Sequence, residues 1–459
     1  MTHADATAHW TARLTDLAAA TRVPGAVLGI LADGHQTIAA HGVLSNATRV
    51  PVTGDAVFQI GSITKPWTGT MIMQLVDEGK LSLDSTVADV LPGIKLGETD
   101  VAGQVTIRHL LTHTSGVEGD IFTDTGRGGD CIERYVAGLA DVAVTTPAGA
   151  AYSYCNSGFV VLGRIIEVLD GGEWDASLRK RIIEPLGLRQ TVTLPEEAIL
   201  HRAAVGHQGH SHEGEPHATW GLARSVGPAG LITASAADVL TFAKTHLDGG
   251  VAATGTRLLS SESAAAMRRQ TFALPSFGGS GDGIGLAWRL SEWDGRTLFG
   301  HDGSTVGQTA YLRVDPQTEV IACLLTNTSD SEELYRRVFG EVFEMYSGVT
   351  VPPLPEPFDG PVLADIGRHA GRYERASRRY DVRVRDDGRL RAVALVTGQL
   401  AVVTEAEPEE FDLLPADSSG DNFVCRSRVG EPWTAVSFGV ADGGRPYIFA
   451  GGRVTLRTG

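Results

Sequence analysis

Long apolar runs are missing from this sequence of 459 residues, and so is an excess of basic residues. No uninterrupted apolar stretch approaches the roughly 20 residues that a membrane-spanning helix requires. The 55 Asp and Glu residues outnumber the 39 Lys and Arg residues, and the formal net charge is −16. This charge argues against nucleic acid or an anionic membrane surface as the main partner. The N-terminus carries no basic segment, apolar segment or cleavage pattern of a signal peptide, so we expect a cytoplasmic protein.

Cysteine is also scarce, and the metal-binding spacings are absent. The four cysteines form no CxxC pair, which favours free thiols in a reducing compartment: Cys131, Cys155, Cys323 and Cys425. A cluster of histidines offers possible zinc ligands, but its spacing fits no helix face: His207, His210, His212 and His217. We interpret this cluster as a solvated loop and expect neither a metal nor a cofactor.

What the sequence does contain is a change of periodicity along the chain. Residues 26–40 alternate as two short strands around the turn Asp33-Gly34, and strand patterns return after Gly283. Between about residues 58 and 247 helical spacing dominates, as in Thr64–Glu78 and Ala236–His246. Strands at both ends with helices between them predict an α/β domain, with one sheet built from distant segments and a helical lobe inserted.

A second domain is indicated by the C-terminal quarter of the chain. Residues 351–365 are rich in proline and are interpreted as a semi-rigid linker. Beyond them the sequence shows short strands and turns, including a hairpin pattern around Asp387-Gly388. We therefore predict a catalytic domain over 1–350, the linker, and a small antiparallel β-barrel over 366–459.

The first motif with chemical potential is Ser62-Ile-Thr-Lys65. If a helix begins at Ser62, residues i and i+3 share a face, so the Ser62 hydroxyl and the Lys65 amine can meet. A serine hydroxyl is a poor nucleophile until a base removes its proton, and a lysine amine can do so if its pKa is lowered. By itself this pattern is weak, because chance matches are common.

Two further motifs follow in the chain. Tyr154-Cys-Asn156 could offer a phenol that moves protons and an amide that binds substrate; the alternative is a half-buried ring and a helix cap. His301-Asp302-Gly303-Ser304 ends a strand pattern, where a substrate backbone could lie close and an amide could face an oxyanion. The alternative for this third motif is a simple β-turn at Asp-Gly.

Taken together, the three motifs resemble the S-x-x-K, S-D-N and K-T-G set of penicillin-binding proteins and serine β-lactamases. In the class C β-lactamase-like and esterase branch, Tyr-x-Asn replaces the second motif and His-x-Gly often replaces the third. The segments 105–116 and 227–235 also match that family. The resemblance implies an antiparallel sheet with a helical lobe. It also places His301 where β-lactamases carry a lysine, which argues against strong recognition of a β-lactam carboxylate.

Carried onto this sequence, the resemblance implies roles for individual residues. Ser62 would be acylated while Lys65 and Tyr154 share its proton, and His301 would complete the network beside Tyr154. Backbone N–H groups of Ser62 and Ser304 would form an oxyanion hole. Substrate contacts are expected from Asn156 and from Asp302, Gly303 and Ser304.

The chain further resembles penicillin-binding-protein-type thioesterases of nonribosomal peptide assembly lines, which carry a lipocalin-like C-terminal barrel. The resemblance implies a trans-acting peptide macrocyclase: a peptidyl thioester, which a carrier protein could present, is transferred to Ser62 and released by its own amine. A D-residue is expected at the acylating end. Arg445, in a barrel turn, is a candidate for binding a substrate carbonyl, although an exposed turn arginine is the simpler interpretation. The alternatives are a D-stereospecific peptidase, amidase or esterase and, further off, a β-lactamase or a non-catalytic binding module.

Overall fold

The computed structural model describes most of the chain, namely residues 3–208, 214–274, 283–362, 365–398, 401, 407–426, 432–441 and 444–459. Within this part of the chain, no helix is both long enough and apolar enough to cross a lipid bilayer.

An eight-stranded antiparallel sheet forms the centre of the first domain. Its strands are β1 (Gly25–Ala32), β2 (His35–Gly42), β6 (Phe272–Ala273), β7 (Gly283–Ile284), β8 (Arg289–Trp293), β9 (Arg296–Ser304), β10 (Thr309–Asp315) and β11 (Val320–Thr326), in the order β2-β1-β11-β10-β9-β8-β7-β6. Ala26 pairs with Thr326, so the sheet does join the two ends of the domain, as predicted. A small separate sheet has the order β3-β5-β4, with β3 (Val57–Gln59), β4 (Thr191–Val192) and β5 (Thr233–Ser235).

Helices cover both faces of the central sheet. They are α1 (His3–Ala20), α2 (Thr64–Asp77), α3 (Val87–Val90), α4 (Ile107–Leu111), α5 (Cys131–Ala137), α6 (Asn156–Asp170), α7 (Trp174–Leu178), α8 (Glu184–Leu186), α9 (Pro195–Ala198), α10 (Gly227–Gly230), α11 (Ala236–Leu247), α12 (Ser261–Met267) and α13 (Glu332–Ser347). Short 3₁₀ turns lie at Gly61–Ile63, Gly138–Asp141, Arg224–Val226 and Ile366–His369, and Arg179–Ile183 is π-helical.

Two apolar cores result from this layering. One lies between α1, α13 and the outer face of the sheet, where Trp10 and Phe339 are fully buried. The larger one lies between the inner face and the helical lobe, where Trp67 stacks on Phe242 with ring centroids 4.0 Å apart. Ser235 caps α11 by accepting a hydrogen bond from the Asp238 N–H.

The C-terminal domain is a closed antiparallel barrel of eight strands, as predicted. The strands are β12 (Gly371–Arg375), β13 (Arg378–Val384), β14 (Leu390–Val396), β15 (Glu409–Pro415), β16 (Asn422–Cys425), β17 (Thr434–Ala441), β18 (Arg445–Ala450) and β19 (Arg453–Arg457). Pairing of Tyr373 with Arg457 closes the barrel. Its interior is filled by apolar side chains such as Leu390, Phe423 and Ile448, as expected of a barrel with only eight strands.

Candidate active site

Ser62 lies in a 3₁₀ turn between β3 and α2. The helix itself begins at Thr64, as predicted, so Ser62 precedes it by two residues. Two glycines let strand β9 lie directly against this turn. A Cβ on Gly303 would stand 1.9 Å from the Ile60 carbonyl oxygen, and one on Gly61 would stand 2.6 Å from the Ser304 nitrogen. Gly61 also has a positive φ of 50°, which side chains disfavour. The close approach brings the Ser304 amide next to the serine turn.

The Lys65 amine contacts Ser62 although Ser62 lies before the helix. Lys65 Nζ donates to Ser62 Oγ at 3.0 Å, to Asn156 Oδ1 at 2.8 Å and to the Ala229 carbonyl at 2.7 Å. Ser62 itself is partly exposed, whereas Lys65 is fully buried. This arrangement has the geometry of a nucleophile beside a base, with the hydroxyl accessible from the cleft.

Burial is the main reason why the pKa of Lys65 lies well below its usual range, and the positive charge of Arg453 lowers it further. The Asp120 carboxylate opposes this shift. A lowered pKa makes the neutral amine, which can accept a proton, available at lower pH.

Tyr154 completes the immediate surroundings of the serine. Its phenol hydrogen-bonds to the Ser62 side chain, and its ring centroid lies 4.8 Å from Lys65 Nζ. Burial raises the pKa of Tyr154, so the phenol is protonated at neutral pH. The second motif, Tyr154-Cys-Asn156, therefore contacts the first motif through both Tyr154 and Asn156. The interpretation of Asn156 as a helix cap is wrong, since Cys155 caps α6 and Asn156 is its first residue.

His301 lies on the same face of β9 as Gly303, towards the serine turn. Its ring is buried, Nδ1 lies 2.6 Å from the Asp302 carbonyl oxygen, and the ring centroid is 6.2 Å from that of Tyr154. Burial, together with Arg289, lowers the pKa of His301 to about 3, so the imidazole is neutral. With Nδ1–H donated to the carbonyl, Nε2 can accept a hydrogen bond.

The remaining residues of the third motif belong to a continuous strand rather than to the β-turn considered as an alternative. Because side chains alternate along a strand, Asp302 lies on the opposite face from His301. There its carboxylate accepts two hydrogen bonds from Arg313, at 2.6 and 3.0 Å. Substrate binding by Asp302 would therefore have to use its backbone. The exposed Ser304 lies beside Gly61, as described above.

Asp120 is a residue of the site that the sequence motifs did not reveal. The carboxylate is buried and accepts a hydrogen bond from Asn156 Nδ2 at 3.0 Å. Two barrel arginines bind it: Arg375 at 2.6 Å, and Arg453 through two hydrogen bonds at 2.7 and 3.0 Å. Burial alone would raise the pKa of Asp120, but these arginines outweigh it and hold the pKa below its usual range.

The barrel also contacts the second motif directly. The Tyr154 N–H donates to the Gly452 carbonyl at 2.9 Å, and the Arg453 guanidinium lies 4.8 Å from the Tyr154 ring centroid. Arg445, the barrel arginine singled out from the sequence, donates instead to the Thr145 carbonyl at 3.2 Å. Arg375, Arg453 and the Gly452 carbonyl are therefore the barrel groups that contact Asp120 and Tyr154.

Cys155 is a packed, protonated thiol and not a second nucleophile. Its sulfur accepts a hydrogen bond from the Gly158 N–H, and burial raises the pKa of the thiol to about 11. Of the histidine cluster, His210 and His212 lie outside the described residues. The His207 ring contacts the Asn327 carbonyl and the Asn46 N–H, so both of its nitrogens are engaged.

Sequence comparison agrees with this geometry: the Beta-lactamase family matches residues 10–344. The chain belongs to the β-lactamase family. Within the family it is 47% identical to penicillin-binding protein 4 of Amycolatopsis lactamdurans, over 80% of this chain and 97% of that protein. The expected resemblance to penicillin-binding proteins and β-lactamases is thereby confirmed.

Solved structures extend the comparison to both domains of this β-lactamase family member. The structure of SurE matches with a TM-score of 0.80 and 27% identity, and the match covers 100% of both chains. A D-stereospecific amidohydrolase from Streptomyces sp. matches with a TM-score of 0.58 and 25% identity, over 74% of this chain and 99% of that one. The barrel is thus part of the likeness to SurE.

Proposed function

We propose that this chain is a serine acyltransferase that transfers a peptidyl thioester to Ser62 and releases the peptide as a ring. The observation that carries the proposal is the contact of Lys65 Nζ with both Ser62 Oγ and Asn156 Oδ1. The Tyr154 phenol forms a hydrogen bond to the same serine. Membership in the β-lactamase family supports serine acyl transfer as the reaction class.

In the first step, Ser62 Oγ forms a bond to the thioester carbon and the carbon–sulfur bond breaks. Lys65, with Tyr154, takes the serine proton and delivers one to the leaving thiolate. The N–H groups of Ser62 and Ser304 stabilise the oxyanion, at about 3 kcal/mol per donor. In the second step the peptide's own amine attacks the ester, the bond to Ser62 Oγ breaks, and the amine proton returns to the serine.

Release by an amine rather than by water requires a cleft that limits water and folds the peptide back on itself. The barrel supports this requirement, because its hairpin at Gly452 covers one side of Tyr154 and places Arg453 next to the ring. The full-length match to SurE includes this barrel.

A D-configured residue at the acylating end is supported by two of the similar structures. SurE has also been solved with D-Leu, at 28% identity to this chain and a TM-score of 0.78. The amidohydrolase from Streptomyces sp. is described as D-stereospecific. That second similarity also favours the alternative function, a D-stereospecific hydrolase that releases the linear acid.

The test is incubation with a short peptidyl thioester ending in a D-residue, followed by mass measurement of the protein and of its products. Ser62→Ala and the L-residue epimer of the substrate are the matched controls. We expect an acyl adduct that needs Ser62 and a cyclic product one water lighter than the acid. An adduct that gives only linear acid would point to the hydrolase, and no adduct on the wild type would overturn acyl transfer of this substrate.

A further inference from the structure

His113 is a fully buried histidine two residues beyond the end of α4, and the proposed reaction assigns it no role. It lies in the segment 105–116, one of the two segments outside the three motifs that resemble the family. Its backbone has a φ of 58°, in the left-handed region that few residues other than glycine adopt. Such a conformation costs free energy and persists only where the surroundings enforce it.

What His113 contacts is the backbone on either side of Tyr154. The His113 carbonyl accepts a hydrogen bond from the Ser153 N–H at 2.9 Å. Its ring Nδ1 accepts one from the Cys155 N–H, also at 2.9 Å. The Tyr154 N–H between them donates to the Gly452 carbonyl. Three consecutive backbone N–H groups are therefore hydrogen-bonded, two of them to His113.

The ring of His113 also packs on the phenol itself. The centroids of the His113 and Tyr154 rings are 4.3 Å apart with an interplanar angle of 28°. The same imidazole lies 5.1 Å from the Phe159 ring, which, like Tyr154, stands close to Lys65 Nζ. His113 therefore forms part of the support behind both rings that contact the lysine.

This contact pattern fixes the charge of the imidazole as well. Because Nδ1 accepts a hydrogen bond from the Cys155 N–H, it carries no proton, and the proton of the neutral ring must lie on Nε2. Burial, followed by the nearby charge of Lys65, lowers the pKa of His113 well below its usual range. A neutral ring adds no further positive charge beside Lys65 and Arg453.

We infer that His113 is a positioning residue for acyl transfer: through its carbonyl, its Nδ1 and its ring face it holds Tyr154 against Ser62 and Lys65. The inference rests on the proposed acylation of Ser62, but not on cyclisation or on the identity of the peptide. Misplacement of a proton-transferring group slows the chemical step and leaves ground-state binding largely unchanged.

Two substitutions separate the contacts of His113. His113→Phe keeps an aromatic ring against Tyr154 but removes the acceptor for the Cys155 N–H. His113→Asn places Oδ1 where Nδ1 was and tolerates a positive φ, but it loses the stacking. The matched control is His246→Phe: His246 is equally buried, contacts Thr70 Oγ1 at 2.9 Å and packs against Phe242 and Trp288.

The measurement is the pre-steady-state burst of p-nitrophenol from p-nitrophenyl butyrate, because the burst amplitude counts competent molecules and the burst rate reports acylation. We expect His113→Phe to slow acylation by about 10- to 100-fold with a small change in the half-saturating ester concentration. His113→Asn should recover part of the rate, and His246→Phe should keep the wild-type rate per active molecule.

The outcomes separate a failure of the proposed acylation from a failure of the role assigned to His113. A wild type that shows no Ser62-dependent burst would overturn the proposed acylation, and the inference with it. A wild-type burst with an equal rate per active molecule in His113→Phe would overturn the inference alone. Equal slowing in His246→Phe would show a general effect of core substitution and would likewise overturn it.

Discussion

The catalytic domain and the barrel bury very different side chains. The catalytic domain encloses ionisable groups, among them Lys65, His113 and His301. The barrel core is built from apolar and aromatic residues, with His369 stacked at 4.2 Å on Phe438 at its edge. Burying a polar group without a partner costs free energy, so the ionisable groups in the catalytic core need hydrogen-bond partners that the apolar barrel core does not require.

The difference teaches that the barrel acts on the site through its surface and not through its interior. Filled by side chains, its core offers no site for a ligand among the described residues. Its contribution is Arg375, Arg453 and the Gly452 carbonyl, all at the boundary with the catalytic domain. Through Asp120 and Asn156 these arginines connect to Lys65.

The largest effect is expected when the link between the two regions is removed by Asp120→Ala. Two barrel arginines would lose their carboxylate and Asn156 its acceptor, which should cost about 3–5 kcal/mol of unfolding free energy. A displaced Lys65 should slow acylation about 100-fold. Denaturant unfolding and burst kinetics measure the two effects.

Asp84→Ala is the control for this prediction. Asp84 pairs with Arg108 at 3.0 Å, but its side chain is 77% exposed, and surface pairs contribute little. Asp120→Ala with wild-type acylation would show that the barrel does not act on the site through this carboxylate.

The second change tests the barrel interior with Phe438→Ala. Phe438 is buried against Tyr373 and Phe423, and the cavity should cost about 3 kcal/mol of barrel stability. Because the arginines lie at the domain boundary, the acylation rate of the folded protein should stay close to that of the wild type. A loss of acylation as large as in Asp120→Ala would contradict the separation of surface and core.

The third prediction concerns the loss of stability in acid, because the catalytic domain holds His246 and His301 buried and neutral. Burial lowers the pKa of each to about 3. The unfolded chain therefore binds these protons first. The stability due to the neutral histidines is complete above about pH 6.5 and is lost as the pH falls towards 3.

Removal of one such histidine should flatten this dependence. Between pH 5.5 and 4, His246→Gln should reduce the slope of unfolding free energy against pH by about 1.4 kcal/mol per pH unit. Equilibrium unfolding in denaturant at several pH values measures the slope. An unchanged slope in the variant would mean that His246 is not the neutral group that the burial implies.

The smallest effect is expected from Arg445→Ala. This arginine is exposed and contributes one hydrogen bond to the Thr145 carbonyl, so the cost should be about 1 kcal/mol or less. Acylation should be unaffected, in contrast to Arg453→Ala, which removes the two bonds to Asp120. Similar losses of acylation in both variants would restore Arg445 as a candidate substrate contact.

Much of the fold could be predicted from the sequence because periodicity is local. The hairpin around Asp33-Gly34 forms between β1 and β2, and the one around Asp387-Gly388 between β13 and β14. The predicted helix Thr64–Glu78 agrees with α2 to within one residue. The 3₁₀ turn before it was not predicted, and strand β9 lies directly against that turn at Gly61. For Asp302-Gly303 the local sequence was equally compatible with a β-turn and with a strand. The strand forms because these residues pair with β10.

The sequence by itself determined the two-domain order, the strand and helix patterns, and the three motifs whose residues gather around Ser62. These features depend on residues that are close together in the sequence, so a single sequence is enough to recognise them. Only the tertiary structure decided that Asp120, Arg453 and His113 belong to the same network, since their partners lie far away in the sequence. No local pattern marks a carboxylate for an arginine 333 residues away, because that contact exists only once the barrel packs on the catalytic domain.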